Sequence, residues 1–206
     1  MKTKYTIIED CSPYYIRFTY DGLEEFMDHA RDVYNQQDWS GVTGGPVHPL
    51  KFCRLSPELG TEMLAQIPFA ADIEFKKARV AFFVTAPGEY YRPHIDGEPV
   101  GDQLSVNFGI QVLDDTCVTS WYNEDDLKQY RRYDNKNLAV EILGFNKENT
   151  APVKSFTAKQ NDCILFNTNI FHSWDNSQST NERIMLTLRT VDKSITFDDA
   201  KKIIFG

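Results

Sequence analysis

Between residues 78 and 191 the sequence falls into eight short runs rich in β-branched, aliphatic and aromatic residues, at 78–86, 90–95, 104–112, 117–123, 152–158, 162–167, 170–174 and 183–191. Gly, Pro, Asn and Asp stand between them, which is how strands are punctuated. Eight strands spaced this way predict a sandwich or jelly roll, and the double-stranded β-helix of cupin-like proteins is a jelly roll of that count. The expected fold class is therefore mainly β with flanking helices around a double-stranded β-helix core.

The rest of the chain reads as decoration on that core, giving one domain over 1–206 with flanking elements in 1–77, a core over 78–191 and a C-terminal helix in 192–206. Two short apolar runs, 5–8 and 14–20, read as peripheral strands. Asp21-Gly22-Leu23-Glu24 has the form of a capping box. It opens a helical stripe over 22–36 carrying Leu23, Phe26, Met27, Ala30, Val33 and Tyr34. Residues 38–50 hold too many Gly and Pro for a regular element, and His48 there, like His29 on the first helix, reads as a surface residue. Ser56-Pro57 opens a second helix as N-cap and first residue. The long interruption at 123–151 predicts a helix over 123–132 and a short apolar run at 138–143; insertions of that length in a compact β fold are commonly functional. A capped helix is expected near 196–204.

His94 and Asp96, two apart, close the second run, so on an extended strand both side chains reach one face while Ile95 turns away. His172 lies in the seventh run, and a jelly roll sets its second and seventh strands side by side. Two imidazoles and a carboxylate form the ligand set that holds ferrous iron on one face and leaves other positions open. Arg183, eleven residues after His172, begins the eighth run, where Ile184, Leu186 and Leu188 share one face. The opposite face begins and ends with Arg183 and Arg189, whose guanidinium groups are costly to bury without an anion. A ligand carboxylate would meet that need through a planar, bidentate contact; a surface ion pair to Glu182 or Asp192 is the plainer alternative. Asn107, on a strand face shared with Ser105, Gly109 and Gln111, could bond a cosubstrate or serve a structural hydrogen bond. Tyr91 and Arg92 adjoin the metal motif, Trp121 and Trp174 are candidate pocket walls, and the 97–103 loop is a candidate lid.

These segments resemble the iron(II)- and 2-oxoglutarate-dependent dioxygenases, among them prolyl and aspartyl/asparaginyl hydroxylases and related phage and bacterial proteins. The resemblance is carried by His94-Ile95-Asp96-Gly97, by the run from Lys159 to Asn167, by Phe171-His172-Ser173-Trp174-Asp175-Asn176 and by Arg183, with support from 105–110 and 119–122. It covers roughly 78–191. Where the family often has Gly before the sixth strand, this chain has Asn161-Asp162, and Asn tolerates the same left-handed turn. The resemblance implies that His94, Asp96 and His172 hold Fe(II), and that Arg183 clamps the 5-carboxylate of 2-oxoglutarate. O2 is then the second cosubstrate, and the reaction is oxidative decarboxylation of 2-oxoglutarate coupled to hydroxylation of a substrate C–H bond, or to demethylation through hydroxylation. On this reading Asn107, Tyr91 and Arg189 are further cosubstrate-binding candidates. A carboxylate at Asp96 disfavours the halogenase variant, which needs that position open.

A net charge of −8 disfavours a protein that wraps a nucleic-acid backbone and favours a peptide side chain or small molecule as substrate. Cys11, Cys53, Cys117 and Cys163 are scattered with no Cys-x-x-Cys pair, so neither a zinc ribbon nor a disulfide framework is indicated. The first residues lack an apolar signal core and no segment approaches ~18 consecutive apolar residues, so a reduced, cytoplasmic compartment is expected. Two other readings of the same residues stand beside the hydroxylase. One is a cupin-type protein binding a metal without redox chemistry, such as a sensor or isomerase. The other is a structural jelly roll.

Overall fold

The structure is a computed structural model, and it describes residues 5–42, 50–96, 103–135 and 139–206. His48 and residues 97–102 of the expected lid lie outside the described residues. In chain order the elements are β1 (Tyr5–Cys11), β2 (Tyr15–Tyr20), α1 (Leu23–Gln36), β3 (Lys51–Arg54), α2 (Pro57–Ala65), β4 (Ala81–Thr85), β5 (Tyr90–Asp96), β6 (Leu104–Gln111) and β7 (Val118–Trp121). There follow α3 (Glu124–Leu127), β8 (Arg131–Asn135), β9 (Ala139–Leu143), β10 (Lys154–Thr157), β11 (Cys163–Asn167), β12 (His172–Asp175), β13 (Arg183–Arg189) and α4 (Phe197–Phe205).

The strands make two antiparallel sheets. One has the order β1-β2-β11-β6-β13-β4-β3, the other β10-β7-β12-β5-β9-β8. Strands β4, β6, β11 and β13 fall in the first sheet and β5, β7, β10 and β12 in the second, so the eight predicted strands form the double-stranded β-helix. Its inner faces meet through Tyr15, Trp121, Phe156, Phe166 and Met185, which pack as one cluster. The outer face of the larger sheet is covered by helices. Phe26, Met27 and Ala30 of α1, Met63 of α2 and Phe197, Ala200 and Ile204 of α4 join Phe18, Phe108, Leu165 and Leu186 in the main core. Each Phe, Met, Leu or Ile side chain among them contributes about 1.5–3 kcal/mol on full burial. No helix among the described residues is long and apolar enough to cross a membrane.

Several local expectations are corrected. The N-cap of α1 is Gly22 at φ 91°, and no side chain caps it; Asp21 therefore stands one residue too early to form the capping box. Strand β2 is not peripheral: it pairs with β1 on one side and β11 on the other. In the insertion the helix stops at Leu127, and Arg131 and Arg132 begin β8, which forms a hairpin with β9. That hairpin extends the smaller sheet beside β5, because pairing and burial of Val140 and Ile142 outweigh the local helical pattern. By contrast Ser56 caps α2 through the Leu59 N–H, and Thr196 forms a full capping box with Asp199 at α4.

One turn is fixed by close backbone approach. Asn161 adopts φ 66°, and its N–H donates to the Gly109 carbonyl at 2.9 Å while Gly109 N–H donates to Asp162 O at 2.9 Å. A Cβ on Gly109 would stand 2.3 Å from Lys159 O, a backbone atom that cannot swing aside. Gly109→Ala is therefore expected to cost about 1–3 kcal/mol, read as a lowered midpoint in urea unfolding; an unchanged midpoint would show that the turn yields freely.

Candidate metal centre

Strands β5 and β12 are antiparallel neighbours with His94 directly opposite His172. The ring centroids are 4.3 Å apart, and His94 is 6% and His172 5% exposed. From His94 Nε2 to Asp96 Oδ1 is 3.4 Å, and from His172 Nε2 to Asp96 Oδ2 is 4.0 Å. One donor atom from each residue lies within 4.8 Å of the other two. Ile95 turns the other way and packs with Val140 and Phe171, as the two-residue period requires.

The tautomers suit a cation. His94 Nδ1 lies 3.0 Å from Arg92 O and His172 Nδ1 lies 2.8 Å from Ile170 O. A carbonyl only accepts, so each Nδ1 carries the proton and each Nε2 presents a lone pair toward Asp96. Burial, then the nearby His94, pushes the His172 imidazole down to about 3, keeping it in the neutral, ligating form. At Asp96 burial works to raise the carboxyl, but Arg189 and then the two histidines hold it well below the usual range. Arg189 Nη2 donates to Asp96 Oδ2 at 2.6 Å. Two imidazole Nε2 atoms and an ionised carboxylate converging on one point are a donor set that fits a divalent cation with open positions.

The triad opens into a cavity of about 380 Å³ between the two sheets. Strand β13 supplies one wall: Arg183, Met185, Thr187 and Arg189 line the cavity, while Ile184, Leu186 and Leu188 face the main core. Arg183 sits opposite Thr85 of β4, and its Nε is buried without a protein partner. The alternative ion pair to Glu182 or Asp192 does not form. Asn107 Nδ2 donates to Ser105 Oγ at 3.1 Å, and its Oδ1 accepts from Thr187 Oγ1 at 2.7 Å, so the amide is knitted into the wall that it lines. Trp174 lines the cavity, but Trp121 does not; it is fully buried and stacks on Tyr15. His29 stands 3.4 Å from Glu62 and takes no part.

The fold has a known counterpart. In a search of solved structures the chain is similar to the epimerase SnoN in complex with Fe3+, alpha ketoglutarate and nogalamycin RO. The identity is 12% over 93% of this chain and 80% of that one, with a TM-score of 0.53. A second structure, described as the non-heme alpha ketoglutarate dependent epimerase SnoN from nogalamycin biosynthesis, gives 12% identity over 93% and 78% of the two chains at a TM-score of 0.51. At that identity the likeness is one of fold. No family model matches the sequence, and no curated protein matches it.

Sequence reasoning missed Glu141. It is 1% exposed, lies opposite His94 on β9, and accepts from Tyr91 Oη at 2.5 Å and from Arg92 Nε and Nη2 at 3.0 and 2.7 Å. The Tyr91 ring meets His94 edge-on at 4.5 Å and stacks on Trp174. A bulge makes this possible: β5 spends three steps from Tyr91 to His94 while β12 spends two from Trp174 to His172. The extra residue restores Tyr91 to the cavity face, and Pro93 is tolerated there because a bulge leaves a ladder N–H unneeded. A charged residue inside the apolar run at 138–143 was the available signal. For the triad itself, His172→Ala is expected to weaken Mn(II) binding in calorimetry by more than the roughly 10–100-fold that a lost supporting contact costs. Undiminished affinity in a folded variant would remove His172 from the site.

Proposed function

We propose that this chain is an Fe(II)- and 2-oxoglutarate-dependent oxygenase that hydroxylates a C–H bond of a small molecule or peptide side chain. One observation carries the reading: a two-histidine, one-carboxylate donor set opens onto a cavity that has a guanidinium group at its far end. The likeness in fold to an epimerase solved with Fe3+ and alpha ketoglutarate supports it. His94, Asp96 and His172 would hold the metal. The chemistry that ferrous iron and 2-oxoglutarate supply together is O2 activation coupled to oxidative decarboxylation, releasing succinate and CO2.

The chain's own residues bind and orient. Arg183, with Thr85 across the strand pair, would clamp the distal carboxylate of 2-oxoglutarate through charge-assisted hydrogen bonds. Asn107 and Thr187 offer a polar wall between that clamp and the metal. Arg189 holds Asp96 ionised and fixes its carboxylate. Leu50, Tyr91, Trp174 and Phe83, which pack together, form an apolar flank that limits water near the reacting centre. A metal-binding cupin without redox chemistry has less use for a guanidinium lining the metal cavity, and Arg183 favours the oxygenase.

The assay is release of succinate from 2-oxoglutarate with added Fe(II), under air and under nitrogen. O2-dependent succinate is expected, and Arg183→Gln is expected to raise KM for 2-oxoglutarate roughly 10–100-fold, the loss of hydrogen bonds to a charged group. A protein that binds Fe(II) but neither binds nor turns over 2-oxoglutarate would end this reading.

A further inference from the structure

Strand β9 belongs to the 123–151 insertion, yet it is built into the metal centre. The core strands alone would leave β5 at the open edge of the smaller sheet, because only β9 and β8 lie beyond it in the strand order. β9 closes that edge, setting Ala139 opposite Asp96, Val140 opposite Ile95 and Glu141 opposite His94. Val140 joins Ile95 in the apolar cluster behind the triad. Glu141 is 1% exposed, and a carboxylate buried so deeply is costly unless cationic and polar groups meet it.

Two groups that meet it are neighbours in sequence. Tyr91 Oη donates to Oε1, while Arg92 Nε and Nη2 both donate to Oε2. On a regular strand adjacent residues point to opposite faces, so one carboxylate could not hold both. It does so here because β5 carries one residue more than β12 between Tyr91 and His94. Glu141 is thus a brace across an irregular stretch of backbone, one oxygen to each side chain. What the brace aims is a wall of the cavity. The larger sheet turns Phe52 and Arg54 of β3 and Phe83 of β4 to the cavity, and the smaller sheet turns Tyr91 and Trp174 to it beside the triad. The Tyr91 and Trp174 rings stack with centroids 5.6 Å apart. Neither histidine is held this way, since each Nδ1 bonds a main-chain carbonyl.

We propose that Glu141 is a positioning residue of the candidate active site. It pins the bulge in β5 and so holds Tyr91, with Trp174 stacked upon it, as a wall against which the substrate lies, and it takes no part in binding the ion. The insertion then acts on substrate choice through one buried side chain. The proposal rests on the oxygenase reading for what the wall faces, but not for how the wall is held.

The test is fluorine NMR of the full chain labelled with fluorotryptophan, which gives one line each for Trp39, Trp121 and Trp174; Trp174→Phe identifies the last. In Glu141→Gln, which keeps the size and removes the charge that Arg92 meets, the Trp174 line is expected to shift or broaden while the Trp39 and Trp121 lines stay. The same local change is expected in Tyr91→Phe, which removes one hydroxyl, keeps the ring and remains informative should Glu141→Gln fail to fold. Calorimetric Mn(II) affinity is expected to stay within about threefold of wild type in both, short of the roughly 10–100-fold that a lost support of a metal ligand costs. A Trp174 line unmoved in either folded variant overturns the proposal. So do all three lines moving together, which would mean general loosening, and a Mn(II) loss of about tenfold or more, which would make Glu141 a support of His94. Neither readout uses turnover. A wild type that neither binds nor converts 2-oxoglutarate ends the oxygenase reading, and the Trp174 line still decides whether Glu141 holds the wall.

Discussion

Antiparallel hydrogen bonding between β5 and β12 sets His94 across from His172, and this register governs everything else about the candidate site. Side chains on a strand alternate, so a slip of one residue would carry one imidazole to the opposite face. The register is protected on both sides of the sheet. Ile95 is buried with Val140 and Phe171 behind the triad, and Trp174 is stacked on Tyr91 in front of it. A slip would expose the first cluster and break the second.

The larger sheet divides its labour by face. On β13 the even-numbered residues are spent on the helix-covered core and the odd-numbered ones on the cavity, so folding stability and ligand chemistry draw on different side chains of one strand. Charge is handled in the same way. Arg189 is matched within the protein by Asp96, while Arg183 has no anionic partner among the described residues, so the two arginines on one face of one strand are balanced differently.

Much of this was legible in the sequence. Punctuated apolar runs gave the eight core strands to within a few residues, and the two-residue period placed His94 with Asp96 and separated Arg183 from Ile184. The left-handed turn at Asn161 was legible because few residues besides Gly and Asn accept that backbone. What resisted reading depended on partners distant in sequence. The helical pattern of 123–132 was overridden past Leu127 because β9 offers β8 a strand to pair with. Glu141 looked like an interruption of an apolar run, since its partners, Tyr91 and Arg92, lie about fifty residues upstream. Arg54 and Phe52 sat in a four-residue strand too short to announce itself, and nothing local marks which face it gives to the cavity.

Both imidazoles are anchored in the same manner, each Nδ1 donating to the carbonyl two residues earlier in the chain. Ring orientation is thus written in main-chain geometry and asks little of neighbouring side chains. Residues around the cavity can drift, enlarging it or recharging it for another molecule, without tilting either ring. A scaffold so arranged can change its diet while keeping its teeth.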